Sequence, residues 1–283
     1  MSKTLSATGL AEERTRRSVY HAYSNYTEGK LIGFIEDIHG LGSLLLITAG
    51  IAVTKFNTAR TVIHPLVRQQ LTRAGLRLLP MVAFLAFALG MVVIGQTVLI
   101  LNRYGAQNFL GTVMVTVVVR ELGPIFAALL VLARAGTANV IELGTARALG
   151  EVEALEALGI DPIHYLVVPR VIGMALSIFA LTLYLILFAL LSGYLFAFVE
   201  GVPLLPGDYF RQLAGALIWQ DFILLILKTM SFGIFIAIVT CFEGLARPMR
   251  LEDVSRASTS AVGKCVVGVV LLDAVFIIVY LFA

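Results

Sequence analysis

Charged residues and cysteines are scarce in this sequence. Asp, Glu, Lys and Arg together make up 14% of the 283 residues, whereas hydrophobic residues make up 59% and the mean hydropathy is +0.94. Soluble domains carry about 25% charged residues, so the composition excludes that class and predicts an integral membrane protein. The formal net charge of +3 is small and its basic residues are scattered, which argues against nucleic-acid binding.

The sequence also lacks the patterns typical of catalytic and metal sites. Its two cysteines, Cys241 and Cys265, form no CxxC motif and have no histidine at metal-ligand spacing, so we interpret them as small buried hydrophobic residues. The segment STSAVGKC at 258–265 lacks the first glycine of a phosphate-binding loop and has Cys where that motif requires Ser or Thr. The histidines at positions 21, 39, 64 and 164 are isolated and are interpreted as loop or interface residues. We therefore predict no catalytic residue, no metal and no cofactor in this chain, which should not hydrolyse ATP by itself.

The amino-terminal region is polar before it becomes apolar. Its first thirty residues lack the apolar core and cleavage site of a signal peptide, so we expect the amino terminus to stay in the cytoplasm. Within Ile32 to Lys55, the run from Leu41 to Val53 is too short to cross about 30 Å of hydrocarbon and predicts an interfacial amphipathic helix. An Arg-bearing stretch at 60–77 follows, and Pro65 predicts a break within it. Residues 1–77 are thus interpreted as a cytoplasmic region with an interfacial, or elbow, helix.

Five later segments are long and apolar enough to cross a membrane. They are residues 78–101, 112–133, 166–199, 222–245 and 264–283, each close to or above the roughly 20 residues that a spanning helix needs. The sequence therefore predicts an all-α integral membrane protein in which residues 78–283 form one domain. The loops at 102–111 and 200–221 hold only two basic residues, so the positive-inside rule places these loops outside and the segments at 134–170 and 246–264 in the cytoplasm. The carboxy terminus then lies on the outer side.

Four charged residues lie inside otherwise apolar spans: Arg120, Glu121, Lys228 and Asp273. Each would cost about 2.5 to 3.5 kcal/mol at a helix centre, so these side chains should face a bundle interior or a wet cavity. Arg120 and Glu121 point about 100° apart on a helix and need partners on other helices, and a pair between Lys228 and Asp273 is the simplest arrangement. Gly123 and Pro124 follow directly, and Pro124 predicts a kink and an unpaired carbonyl at Arg120. The charges could fix helix register, line a transport path, or do both.

The segment between the second and third spans predicts a helix over residues 142–159. It is rich in Ala, Leu and Glu, and Gly159 followed by Asp161 and Pro162 provides a stop. Its apolar stripe consists of Val152, Leu155 and Leu158. Its acidic residues off that stripe are Glu151, Glu153 and Glu156. Because three carboxylates are unfavourable beside anionic lipid heads, the pattern favours docking into a groove on a soluble partner.

A set of distinctive segments extends from about Arg68 to the carboxy terminus: RELGP, ARAG, ELGTARALGEVEALEALGIDP, YLVVPR, LKTMSF, SRASTSAV and LLDAVF. Together they resemble the MlaE/YrbE family of permeases, the membrane subunits of ABC transporters that work with MCE proteins. The resemblance implies a homodimer in which each copy has an interfacial helix, five spans and a cytoplasmic coupling helix. The in-span charges named above are at matching positions. The residues it assigns to contact with the ATPase are Glu142, Arg147, Glu151, Glu153, Glu156 and Gly159.

The function implied by this resemblance is that of a permease subunit in the bacterial inner membrane. It would move phospholipid between that membrane and a periplasmic MCE protein, and so contribute to outer-membrane lipid asymmetry. The implied partners are a second copy of the chain, a cytoplasmic ATPase that binds ATP and Mg²⁺, the MCE protein, phospholipid, and a small accessory protein on the ATPase. Two alternatives remain open: a proton-coupled secondary transporter that uses Glu121 or Asp273, and a membrane scaffold that transports nothing.

Overall fold

A computed structural model describes residues 39–48, 50, 60–106, 109–200, 205–245 and 249–282. The chain divides into two compact units, Met1–Ile47 and Thr48–Ala283. The described part of the first unit belongs to a short apolar helix, α1, at His39–Thr48. The interfacial helix predicted over residues 32–55 thus has a helical centre, and the rest of that range, apart from residue 50, lies outside the described residues.

The second unit contains five helices that are long and apolar enough to cross a membrane. These spans 1 to 5 are His64–Arg103, Leu110–Ala148, Ile163–Val199, Trp219–Leu245 and Val254–Phe282. They include all five predicted segments except residue 283, which is outside the described residues. The prediction of an all-α membrane protein with five spans and a shorter amino-terminal helix is confirmed, because the described residues contain helices and connecting turns but no strand.

Spans 1 to 3 are built from α-helical pieces joined by wider π-helical turns. Span 1 includes α2 (Arg60–Ala74, from residue 64 onward), α3 (Leu79–Leu89) and α4 (Gly95–Arg103), with a π segment at Gly90–Ile94. Span 2 contains α5 (Leu110–Met114), α6 (Gly123–Val131) and α7 (Thr137–Ala148), joined by π segments at Val115–Leu122 and Leu132–Gly136. Span 3 begins with a π segment at Ile163–Val167 and continues as α9 (Val168–Val199). The remaining helices are α8 (Glu151–Ala157), α10 (Pro206–Ala216), α11 (Trp219–Leu245) and α12 (Val254–Phe282).

The helix break expected at Pro65 is absent, because α2 continues through this residue. Pro65 is the sixth residue of α2, so its missing donor removes one helical hydrogen bond without ending the helix. The chain bends instead at Gly75, with φ −110° and ψ −80°, before a 3₁₀ turn at Leu76–Leu78. A Cβ atom on Gly75 would lie 3.2 Å from Ser177 Oγ, so glycine allows this bend to approach span 3 closely.

Helix α9 lies at the centre of the bundle and packs against α2, α3, α6 and α11. Its inward face includes Met174, Ile178, Leu181 and Leu185, each no more than 1% exposed. Glycines permit the close approach of neighbouring spans: a Cβ on Gly90 would overlap the Ala189 carbonyl. Span 5 is the outermost helix. Of its most apolar stretch of 18 residues, 17% are buried, whereas the value is 50% in spans 2, 3 and 4.

The segment predicted as one helix over residues 142–159 is divided in two. Helix α7 continues span 2 as far as Ala148, and the chain then turns at Gly150, which has a left-handed φ of 76°. Only the seven residues of α8 follow. The expected stop is present at Gly159, where φ is +75° and the amides of Gly159 and Ile160 donate to the carbonyls of Glu156 and Leu155. Glycine ends both helices because it accepts the left-handed conformation without a Cβ clash.

Candidate functional site

Lys228 is the centre of a buried charge cluster that joins spans 2, 4 and 5. Its Nζ atom lies 2.6 Å from Asp273 Oδ1 and 2.9 Å from Glu121 Oε2. It also donates a 2.9 Å hydrogen bond to the backbone carbonyl of Arg120. The Lys228 side chain, 6% exposed, therefore has two hydrogen-bond acceptors, the Arg120 carbonyl and Glu121, and a third ion-pair partner in Asp273.

The hydrogen bond to the Arg120 carbonyl depends on the proline that follows it. Pro124 has no backbone N–H, so the carbonyl four residues earlier has no donor at the usual helical position. Lys228 supplies the missing donor from span 4. Gly123 is also buried, and a Cβ there would lie 2.8 Å from Ile186 Cγ1, so this glycine allows span 2 to contact span 3 beside the cluster.

Arg120 points away from Lys228 and pairs with Asp221. Its Nε lies 3.0 Å from Asp221 Oδ1, its Nη2 lies 3.3 Å from Oδ2, and its guanidinium carbon is 4.2 Å from the centroid of the Tyr280 ring. Asp221 Oδ2 also accepts a 2.9 Å bond from the Ile218 amide at the start of α11. Arg120 and Glu121 thus have separate partners on other helices, as their adjacent positions on a helix require.

Sequence reasoning missed Asp221 because this residue was assigned to the boundary of an outer loop. One signal was available: Asp221 precedes Lys228 by seven residues, which places both on the same face of α11 after two turns. The Asp221 side chain is only 2% exposed, so its pairing with Arg120 is an internal contact of the bundle.

The buried charge cluster contains two cations and three carboxylates: Arg120, Lys228, Glu121, Asp221 and Asp273. With all five ionised, its formal charge is 2 − 3 = −1. The adjacent cavity, lined by Arg120, Lys228 and Tyr280 among others, has a volume of about 20 Å³, enough for one water molecule but not for a lipid head group. In this conformation the cluster can hold three spans in register, and its negative balance disfavours a phosphate.

The residues predicted to engage an ATPase have two different environments. Glu142 is bound within the chain, 2.8 Å from Arg73 Nη1 and 3.2 Å from Arg170 Nη2, so it connects α2, α7 and α9. Arg147 lies 3.2 Å from Glu153 and bridges the turn between α7 and α8.

Helix α8 itself presents both acidic and apolar groups to its surroundings. Glu151 and Glu156 are exposed. The predicted apolar stripe is split, because Val152 is 3% exposed whereas Leu158 is 75% exposed. Leu149, on the turn before α8, is 59% exposed. The accessible surface at this end of span 2 therefore combines two carboxylates with two leucines.

In the described part of the chain, no group of three or more His, Cys, Asp or Glu side chains is arranged to hold a metal ion. Outside the spans, burial raises the pKa of the Tyr209 phenol in α10, whose hydroxyl donates a 3.1 Å hydrogen bond to the Leu190 carbonyl. Tyr209 therefore stays a neutral donor that fastens α10 to span 3.

Comparison with known proteins identifies the family. The family described as Permease MlaE matches residues 67–279. A probable ABC transporter permease protein of Rickettsia prowazekii is 34% identical over 70% of this chain and 76% of its own length. The chloroplastic protein TRIGALACTOSYLDIACYLGLYCEROL 1 of Arabidopsis thaliana is 31% identical over 72% of this chain and 58% of its own. The intermembrane phospholipid transport system permease protein MlaE of Haemophilus influenzae is 26% identical over 70% and 76%, respectively. The chain, a multi-pass membrane protein, therefore belongs to the MlaE family of ABC transporter permeases.

Proposed function

We propose that this chain is the permease subunit of an ABC transporter that moves phospholipid between the inner membrane and a periplasmic MCE protein. A separate cytoplasmic ATPase, which binds ATP and Mg²⁺, would supply the energy. The name of the Haemophilus relative, an intermembrane phospholipid transport permease, supports this substrate class. The loop charges described above support an orientation with α8 in the cytoplasm and α10 in the periplasm.

The observation that carries the proposal is the continuity of span 2. Its 39 residues form one long helix from Leu110 to Ala148. At about 1.5 Å per residue it is much longer than the roughly 30 Å of hydrocarbon in a bilayer, so one end projects where a soluble protein can reach it. That end leads into α8, and the other half carries Arg120 and Glu121. A push on α8 therefore has a direct helical path to the buried charge cluster.

Transmission along span 2 also involves its neighbours at the projecting end. Glu142 holds α7 to α2 through Arg73 and to α9 through Arg170. A displacement of α7 would thus shift spans 1 and 3 together with span 2. We propose that ATPase closure moves this unit, and that a lipid cavity formed with a second copy of the chain changes its volume as a result. The exposed apolar surface of span 5 is available to lipid or to that second copy.

The test reverses the charge of the exposed acids of α8. The variant combines Glu151→Lys with Glu156→Lys and leaves Glu153 unchanged, because Glu153 pairs with Arg147. We expect loss of ATPase co-purification and of labelled phospholipid transfer to the MCE protein. The matched control places Glu200→Lys and Asp208→Lys at the opposite end of the bundle, where ATPase co-purification should persist. Full co-purification and transfer in the α8 variant would contradict the proposal.

The formal charge of the buried cluster favours a second candidate, a proton-coupled transporter. Glu121 and Asp273 share one lysine, so the cluster has one carboxylate more than it has cations. This candidate predicts phospholipid movement by the reconstituted chain under a proton gradient without any ATPase, and loss of that movement in Glu121→Gln. Movement that needs the ATPase and ignores the gradient would exclude it.

A further inference from the structure

A second charged region of the protein lies at the projecting end of span 2 and surrounds an open cavity. The cavity has a volume of about 750 Å³, within the usual range of small-molecule sites. Helix α2, the turn after it and residues 133–142 of span 2 form its walls. The lining includes three arginines, Arg73, Arg77 and Arg134, and one carboxylate, Glu142. We call this region the arginine cavity.

The cations of the arginine cavity are only partly neutralised. Arg73 pairs with Glu142, which also accepts from Arg170 outside the lining. Within the described residues, Arg77 and Arg134 have no ion-pair partner, and both side chains are exposed. The formal charge of the lining is 3 − 1 = +2. Two guanidinium groups without an ion-pair partner among the described residues, one from span 1 and one from span 2, suit a ligand with several negative oxygens, because each can donate two parallel hydrogen bonds.

The inner side of the cavity is polar but already satisfied. Gln70 donates a 3.0 Å hydrogen bond to Asn139 Oδ1, and Asn139 Nδ2 lies 3.0 Å from Met174 Sδ. These buried amides join α2 to spans 2 and 3, which gives the cavity a fixed base. The charged donors left for a ligand are the arginines of its lining.

Local backbone structure sets the positions of both unpaired arginines. Arg134 lies in the π segment Leu132–Gly136, a rare helical form found often at functional sites. Arg77 lies in the 3₁₀ turn that follows the bend at Gly75. Beyond Arg77, Met81 and Phe84 follow at four and seven residues and are 45% and 75% exposed. An apolar strip thus runs along span 1 from the rim of the cavity.

From this geometry we propose that the arginine cavity binds the phosphate of an anionic phospholipid head group. Arg77 and Arg134 hold the phosphate, and the acyl chains lie along Met81 and Phe84. A free phosphate shares the charge but cannot use the apolar strip, and a zwitterionic lipid adds a cation to a region that is already positive. This site is separate from the buried charge cluster and does not depend on the proposed function.

The test measures lipid binding to the purified full-length chain in detergent by native mass spectrometry. Phosphatidylglycerol and phosphatidylcholine with the same acyl chains are compared, and inorganic phosphate is added as a competitor. We expect a clear preference for phosphatidylglycerol that inorganic phosphate does not abolish. Arg77→Gln and Arg134→Gln should each weaken phosphatidylglycerol binding about fivefold, since one arginine beside an anionic lipid contributes about 1 kcal/mol.

Two sets of variants separate this site from general charge effects and from misfolding. Arg68→Gln removes an exposed arginine of α2, a helix that lines the cavity, at a position outside the lining, and should leave the lipid preference unchanged. Arg77→Lys and Arg134→Lys retain the charge but lose the paired hydrogen bonds of the guanidinium, so they should weaken phosphatidylglycerol binding less than the Gln variants do. Equal binding of the two lipids by the unmodified chain, an unchanged preference in the Gln variants, or displacement of the lipid by inorganic phosphate would each overturn the proposal.

Discussion

The buried charge cluster and the arginine cavity lie on the same helix but differ in how their charges are used. Arg120 and Arg134 are 134 − 120 = 14 residues apart on span 2, or about 20 Å. In the cluster every cation touches a carboxylate, the adjacent cavity has room for one water and the formal balance is negative. In the cavity two arginines face 750 Å³ of open space and the balance is positive.

This difference indicates a division between structural charges and ligand-binding charges. A paired charge inside a membrane protein stabilises helix register, but it is costly to expose one partner alone. A charge at the rim of an open cavity is solvated and contributes little to folding. Mutations in the two regions should therefore separate stability from lipid binding.

The largest expected effect is that of Lys228→Met. This change leaves Glu121 and Asp273 without their shared cation and the Arg120 carbonyl without its donor. Removal of one partner from a buried ion pair costs about 3 to 5 kcal/mol, so the folded fraction in detergent should fall sharply in thermal or denaturant unfolding. Adding Asp273→Asn to Lys228→Met should recover part of the loss. Unchanged stability in the single variant would show that the cluster is not structural.

A smaller effect is expected for Asp221→Asn. The change removes the carboxylate that pairs with Arg120, while the asparagine oxygen can still accept from the Ile218 amide. We expect a loss of about 1 to 3 kcal/mol in the free energy of unfolding, because a buried charged donor loses its ionic partner. Asp208→Asn is the matched control, since Asp208 lies 3.9 Å from Arg211 and both are well exposed. An equal change in the free energy of unfolding in the two variants would contradict the inclusion of Asp221 in the buried charge cluster.

Glu142→Gln changes a residue with both kinds of role, because Glu142 forms ion pairs within the chain and also lines the arginine cavity. Its ion pairs with Arg73 and Arg170 are partly exposed, so their loss should cost less than about 1 kcal/mol. The same change gives the cavity lining a formal charge of +3 and releases Arg73 toward it. We expect tighter phosphatidylglycerol binding, by about fivefold, measured with the native mass spectrometry described above. Weaker lipid binding in this variant would contradict the view that Glu142 competes with the ligand.

The sequence alone predicted the features that follow from long apolar runs and from the energetic cost of charged residues within them. The number of spans followed from run lengths, and Lys228 and Asp273 stood out because each interrupts such a run. Contacts between distant segments could not be predicted in the same way, because the ion pairs of Glu142 with Arg73 and Arg170 depend on how three helices pack.

Two other features, the division of the helix at Gly150 and the π segments, could not be predicted because their residues are compatible with more than one backbone structure. The sequence around Gly150 consists of good helix formers on both sides, and propensity favours one helix although Gly150 divides it. The π segments have no sequence signature comparable to a cap or a turn. The arginine cavity depends on one of these segments and on the bend at Gly75, so its location could not be derived from residue order.

The smallest expected effect on stability is that of Arg77→Gln combined with Arg134→Gln. Both side chains are exposed and lack ion pairs among the described residues, so the free energy of unfolding should change by no more than about 0.5 kcal/mol. The unfolding measurement is made in detergent without anionic lipid, because a bound lipid would stabilise the unmodified chain selectively. Repeating it with phosphatidylglycerol should raise the unfolding temperature of the unmodified chain and not that of the double variant. A large decrease in the free energy of unfolding without lipid would contradict the division and show that these arginines are structural. Only contacts within the protein can account for a loss of stability that is measured when no ligand is present.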